Sequence, residues 1–206
     1  MARRNSIAPQ AVVFELALGV VGAVIALALD APLRHRLVVT PDNLLRGAVA
    51  CVPMLLLLTL LAGLSWRPIR ELRRQVERIV ASLFGDATLV GLAAVAASAG
   101  VGEEILFRGA VQPLISQWTT PAIGLGAASL LFGAAHAASA TYFALAAAVG
   151  LYLGWLAQHY DDLVAPIVAH AGYDFIALLV LRRSGRDLVW QGAQRSDVGR
   201  PESKSK

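Results

Sequence analysis

The sequence predicts an all-α membrane protein, a polytopic bundle of about six transmembrane helices with one interfacial amphipathic helix. Of its 206 residues, 57% are hydrophobic, against about 45–50% in soluble domains. The apolar residues form runs long enough to cross a bilayer, which takes about 20 residues. The arginines behind the net charge of +4 flank these runs without interleaved aromatic residues. We therefore interpret them as topology determinants and expect no nucleic-acid partner.

Six apolar runs define the predicted spans. They lie at about 11–29, 47–64, 87–115, 122–138, 142–157 and 163–181. The first exceeds the apolar core of a signal peptide, about 7–15 residues, and no small-x-small cleavage site follows, so we expect an uncleaved anchor. The single cysteine, Cys51, lies in the second run and excludes an internal disulfide. Small residues in spans three to five, including Gly150 and Gly154, favour close helix packing.

The segment 66–84 is amphipathic. Its apolar residues recur at steps of three and four, opposite a basic face. That face is made of Arg67, Arg70, Arg73, Arg74 and Arg78. The pattern predicts a helix in the headgroup plane of an anionic inner leaflet, with a solvated connecting helix as the alternative. We divide the chain into residues 1–86 (two spans and this helix), 87–181 (a catalytic core) and 182–206 (a polar, basic, disordered tail).

The basic residues also predict the orientation. Placing both termini in the cytoplasm puts Arg3, Arg4, the basic face of 66–84, Arg182 and Arg183 inside. Since cytoplasmic loops carry an excess of Lys and Arg, this orientation is favoured. We expect a multi-pass protein of the cell (inner or plasma) membrane.

Six ionisable residues lie within predicted spans. An ionised side chain at a helix centre costs about 2.5–3.5 kcal/mol on insertion scales, so the default interpretation is functional. Span three carries three of them, span four one and span six two. They are Glu103, Glu104, Arg108, His136, His170 and Asp174. Glu15, alone in span one, receives no function.

Helical geometry separates the two adjacent glutamates. Glu104 and Arg108 are four residues apart and share a face, so they can form an ion pair, whether structural or catalytic. Glu103 points about 100° away from Glu104 and remains free for another helix. His170 and Asp174 also share a face. The chemistry suggested is attack on an amide by a water that a carboxylate deprotonates, assisted by histidine or by a bound metal.

These residues resemble a family signature in three motifs. Glu103-Glu104-x-x-x-Arg108, Phe132-x-x-x-His136 and His170-x-x-x-Asp174 look like those of the CAAX-protease and bacteriocin-processing (CPBP, or Abi) family. That family includes prenyl-protein endopeptidases and lysostaphin-resistance-like proteins. The resemblance covers about Gly91 to Val180 and implies an intramembrane endopeptidase. Three motifs in family order, each in an apolar span, are far more specific than any one alone.

The resemblance also implies roles for the individual residues. Glu103 and His136 would activate the water, His170 and Asp174 would stabilise the oxyanion, and Glu104 and Arg108 would support the site. The family's last motif most often ends in Asn, so the role of Asp174 departs from the pattern. The family has been described as both metalloproteases and glutamate proteases. If a divalent metal such as zinc is present, Glu103, His136, His170 and Asp174 would be its ligands.

Other functions fit the sequence less well. A haem protein would use His136 and His170 but leaves both glutamates unexplained. A proton-coupled transporter also uses buried ionisable residues, but two similar halves are not evident. A catalytically silent immunity or binding protein of the same family is a further alternative. No Gly-x-Ser-x-Gly serine site or second intramembrane aspartate is present.

The substrate is expected to be a membrane-embedded or lipidated peptide or protein. The Ala- and Arg-rich composition suggests a bacterial chain, for which prenylated substrates are not implied. The topology also sets Glu103 and His136 at different depths in the membrane, a mismatch that tilting or displaced span ends must remove.

Overall fold

The computed structural model describes the backbone of residues 7–198 and the side chains of residues 7–184; within this part of the chain there are helices and no strands. The helices of this part are α1 (Ala8–Ala28), α2 (Leu33–Arg36), α3 (Pro41–Gly63), α4 (Arg67–Phe84), α5 (Leu89–Glu104), a π-helical segment (Ile105–Val111), α6 (Gln112–Trp118), α7 (Pro121–Ala135), α8 (Ala140–Tyr160) and α9 (Val164–Val198). The predicted all-α polytopic bundle is confirmed.

Five stretches of the described chain are long and apolar enough to cross a membrane. They are Ala8–Ala28, Pro41–Gly63, Leu89–Trp118, Ala140–Tyr160 and Val164–Ser184. The predicted fourth span, 122–138, is shorter than expected. Its helix, α7, has 15 residues, about 22 Å, whereas the hydrocarbon core is about 30 Å thick. The Ser139 hydroxyl caps α8 by accepting from the amide of Tyr142 at 3.2 Å, which leaves 136–139 as a connection between α7 and α8.

The amphipathic helix α4 packs part of its apolar stripe against the bundle. Ile69, Leu72 and Val80 are buried, and α4 packs mainly against α9. The bundle thus covers part of the stripe, while Ile79 and Leu83 remain exposed, and the placement of α4 in the headgroup plane stays a prediction. Four arginines of the opposite face, Arg67, Arg70, Arg74 and Arg78, remain exposed.

The predicted disordered tail, 182–206, begins as helix. α9 continues to Val198, residues 199–206 lie outside the described residues, and the disorder of the tail stays a prediction. The Arg182 side chain donates to the carbonyl of Ala87 at 2.6 Å. This hydrogen bond attaches the beginning of the predicted tail to the helix bundle.

Glycines set how closely the helices approach. A Cβ on Gly22 of α1 would lie 2.5 Å from Cα of Leu106, and one on Gly102 of α5 would overlap the carbonyl of Glu15. The two helices therefore pack backbone to backbone, as small residues allow in membranes. Across the bundle, Arg108 and Gln112 donate to the carbonyls of Gly150 (3.0 Å) and Gly154 (3.1 Å).

Candidate active site

The six ionisable residues converge in the bundle interior from three parts of the chain. Glu103 and Glu104 end α5, Arg108 lies in the π-helical segment, His136 follows α7, and His170 and Asp174 lie on α9. The shortness of α7 removes the predicted difference in depth between Glu103 and His136. After Trp118 the chain reverses, and α7 runs back into the bundle for 15 residues before it reaches His136. Glu103 lies 15 residues before Trp118 on the way out. Both side chains are therefore about 22 Å from the same end of the bundle.

Glu104 is the centre of a fully buried ion-pair network. Its Oε1 accepts from Arg108 at 2.7 Å and from Nδ1 of His170 at 2.8 Å. Glu104 is 0% and Arg108 1% exposed. Because a carboxylate only accepts, His170 carries its proton on Nδ1 and presents Nε2 to the rest of the site. The predicted pairing of Glu104 with Arg108 is present, and His170 joins it.

Glu103 faces the two imidazole rings. Its Oε1 is 3.7 Å from Nε2 of His136, and its Oε2 is 3.9 Å from Nε2 of His170. On the other side, His170 Nε2 is 3.5 Å from Oδ2 of Asp174. Oε2 of Glu103 is buried without a hydrogen-bond partner in the described protein. Distances beyond about 3.5 Å leave room for a water between the groups.

Phe132 orients the His136 imidazole. The two rings stack with centroids 4.6 Å apart, and Nδ1 of His136 donates to the Phe132 carbonyl at 2.9 Å. The tautomer is fixed because a carbonyl only accepts, so in the neutral ring Nε2 is an acceptor directed at Glu103. The Arg108 guanidinium covers the same phenyl ring at 4.5 Å.

The sequence pattern did not reveal the π-helical segment between Glu104 and Gln112. Here the amide of Gln112 donates to the carbonyl of Phe107, five residues earlier. The signal in the sequence is Pro113, which has no amide proton and clashes with the carbonyl four residues before it in an α-helix. π-Helical turns are rare and occur frequently at functional sites.

Arg36, the last residue of α2, donates hydrogen bonds that hold this segment in place. Its guanidinium donates to the carbonyls of Arg108 (3.1 Å) and Ala157 (2.8 Å) and lies 3.2 Å from Asp161. Burial lowers the pKa of Arg36, and the carboxylates of Asp161 and Asp162 offset part of this effect. In the sequence, Arg36 lies between two apolar runs and in no motif, so nothing indicated that its side chain would be buried.

Two further residues at the site were not predicted. Tyr142, at the start of α8, places its ring 5.9 Å from that of His136. Glu15, on α1, interacts electrostatically with Glu103, His170 and Asp174. In the sequence, the only indication of a role for Glu15 was that a carboxylate lies inside an apolar span.

The proposed zinc ligands do not fit a metal site as they lie here. In the part of the chain that the structure describes, no three His, Cys, Asp or Glu side chains are arranged to hold a metal ion. The mechanism proposed below therefore uses these side chains without a metal.

One comparison with known proteins matches the part of the chain that contains this site. Residues 85–176 match the family model described as type II CAAX prenyl endopeptidase Rce1-like, which confirms the resemblance to the CAAX-protease family. The match includes all three motifs. It supports an endopeptidase activity and a membrane-associated protein substrate in general terms. Searches of curated proteins and of solved structures give no significant match.

Proposed function

We propose that this protein is an intramembrane endopeptidase that hydrolyses a peptide bond with a water activated by Glu103 and His136. The observation that carries the proposal is the carboxylate of Glu103 between two Nε2 atoms, 3.7 Å from His136 and 3.9 Å from His170. This arrangement and the family match support the proposal, in which no metal takes part in the reaction.

In the first step, one water bridges Glu103 and His136. Oε1 of Glu103 accepts one O–H of the water and Nε2 of His136 accepts the other, which directs an oxygen lone pair outward. The water oxygen attacks the substrate carbonyl carbon while its proton passes to Glu103. The carbonyl π bond becomes the C–O⁻ of a tetrahedral intermediate.

His170 stabilises the resulting oxyanion. As an imidazolium it donates Nδ1–H to Glu104 and Nε2–H to the oxyanion, and the flanking carboxylates of Glu104 and Asp174 balance its charge. Asp174 lies 3.5 Å from Nε2 and limits the rotation of the ring. Glu103 then transfers its proton to the amide nitrogen, the C–N bond breaks, and the products are an acid and an amine.

We further propose that both termini lie in the cytoplasm of the cell membrane. The exposed arginines of α4 would then meet the anionic inner leaflet, since each basic residue near such a surface contributes about 1 kcal/mol. The natural cysteine, Cys51, is buried. A cysteine introduced at the exposed position 35 or 65 would therefore be the residue that reacts with a thiol reagent. A membrane-impermeant maleimide should label His35→Cys in intact cells and Ser65→Cys only after lysis. The reverse labelling would invert the topology.

The activity is tested with wild type, Glu103→Gln and Glu71→Gln purified in detergent on a panel of transmembrane and lipidated peptides. Glu71→Gln is the matched control, because Glu71 is an exposed carboxylate on α4 paired with Arg67. We expect cleavage by wild type and the control and none by folded Glu103→Gln. Persistent cleavage by Glu103→Gln would rule out Glu103 as the base. Wild type that binds peptides but cleaves none would favour the silent binding protein.

A further inference from the structure

Glu15 belongs to the face of α1 that packs into the bundle. This face continues through the buried residues Gly19, Gly22 and Ala26, and α1 packs mainly on α5 and the π-helical segment. A Cβ on Gly102 would overlap the Glu15 carbonyl, so the backbones touch one residue before Glu103. The packing therefore directs the Glu15 side chain toward the candidate active site.

One oxygen of the Glu15 carboxyl group lacks a hydrogen-bond donor in the described part of the chain. Its Oε2 is buried without a hydrogen bond in the described protein, and the charges with which it interacts include two further carboxylates, Glu103 and Asp174. A buried acceptor without a donor is destabilising, and more so when charged. An intramembrane carboxylate in this position calls for a donor that the described side chains do not supply.

Three hydrogen-bond donors of the site are already committed to other partners. The Arg108 guanidinium and Nδ1 of His170 both donate to Glu104, and Nδ1 of His136 donates to the Phe132 carbonyl. Glu103 lies 3.7 Å from Nε2 of His136, Asp174 lies 3.5 Å from Nε2 of His170, and Glu15 is a third carboxyl group close to them. The described site therefore has an excess of hydrogen-bond acceptors, which a cationic donor would complement.

We propose that Glu15 is a substrate-binding residue that selects peptides with an Arg or Lys side chain close to the cleaved bond. The inference rests on the proposed endopeptidase function. A guanidinium or ammonium would donate to the free Oε2 of Glu15 while the neighbouring peptide bond lies against Glu103 and His136. Glu15 lies outside the segment 85–176 that matches the family model, so α1 would add this preference to the matched region.

The test uses one cleaved transmembrane peptide, its cleavage site mapped by mass spectrometry, with Arg, Met or Glu placed in turn at positions near the site. For wild type we expect kcat/KM to be at least about tenfold higher for the best Arg peptide than for its Met counterpart, as a charge-assisted hydrogen bond provides. Glu15→Gln should bring this ratio close to one, whereas Glu71→Gln should keep it. An unchanged ratio in Glu15→Gln would overturn the proposal.

A binding measurement separates this inference from the proposed function. Fluorescence anisotropy of dye-labelled Arg and Met peptides needs no cleavage, so it decides the inference even if the wild type hydrolyses nothing. Tighter binding of an Arg peptide by wild type, lost in Glu15→Gln, would support the inference. If Glu15→Gln does not fold, Glu15→Met replaces it. Wild type that does not distinguish Arg from Met by rate or by binding refutes the inference outright.

Discussion

Nδ1 of His170 donates to Oε1 of Glu104 across 2.8 Å, and the same oxygen accepts from Arg108 at 2.7 Å. Removing the Glu104 charge therefore leaves a buried guanidinium without its partner. Breaking a buried pair on one side costs about 3–5 kcal/mol. We expect Glu104→Gln to lower the free energy of unfolding by about that amount, measured by denaturant titration in detergent.

Glu103→Gln is the matched comparison for this prediction. Glu103 has no hydrogen bond through Oε2, so its isosteric replacement should leave stability within about 1 kcal/mol. The double variant Glu104→Gln with Arg108→Gln should lose less stability than the sum of the two single variants. In the double variant neither residue leaves a buried charge without its partner. Additive losses would show that the ion pair contributes nothing.

A methyl group at Gly133 should push α7 away from α8. Its Cβ would meet the Phe143 carbonyl at 2.8 Å and Cβ of Ala147 at 2.9 Å. Overpacking of this kind costs about 1–3 kcal/mol, and the displaced end of α7 carries His136. We expect Gly133→Ala to lower both the midpoint of thermal unfolding and kcat.

The same helix offers the control, since a Cβ on Gly126 would meet nothing within 4 Å. Gly126→Ala should be neutral or stabilising by about 0.5–1 kcal/mol, because alanine favours a helix over glycine. Equal effects of the two substitutions would contradict the packing explanation.

Arg36→Met should destabilise the π-helical segment. The substitution leaves the carbonyls of Arg108 and Ala157 without their donor, and each unsatisfied buried group costs about 1–3 kcal/mol. We expect a loss of stability of at least about 2 kcal/mol together with reduced cleavage, measured on one preparation. Arg34→Met, at an exposed position on the same short helix, should change neither. A stable, fully active Arg36→Met would contradict the role of Arg36 in holding this segment.

The sequence predicted what depends on periodicity and missed what depends on tertiary contact. Glu104 and Arg108 meet because four residues make about one helical turn. The shortness of α7 and the burial of Arg36 depend on neighbours that periodicity does not describe. The stripe of α4 had the right spacing, but no spacing distinguishes a lipid surface from α9 as its partner. Glu15 was missed because it reaches the site only through the close approach of α1 at Gly102.

Glu77 should make the stability of the protein depend on pH. Burial on α4 raises the pKa of Glu77, and Arg73, Arg74 and Arg78 offset part of this effect. A group with a raised pKa in the folded state binds its proton more tightly there. Its unfavourable contribution is therefore absent below the pKa of the unfolded state and develops as pH rises through the folded value.

The measurement for Glu77 is the difference in unfolding free energy between wild type and Glu77→Gln from acidic to neutral pH. We expect the variant to gain stability relative to wild type as pH rises, because Gln stays neutral throughout. Glu71→Gln, on the exposed part of the same helix, controls for general charge effects. A difference that does not vary with pH, or that shrinks as pH rises, would contradict the burial of an ionisable Glu77.

Chelators should leave the proposed cleavage unchanged. In the described part of the chain no three suitable side chains are arranged to hold a metal ion. We expect the rate with EDTA or phenanthroline to equal the untreated rate, with a zinc protease in the same detergent as the positive control. A loss that added zinc restores would show that Glu103, His136, His170 and Asp174 rearrange around an ion. In that case the water would be activated by the metal rather than by Glu103 and His136 alone.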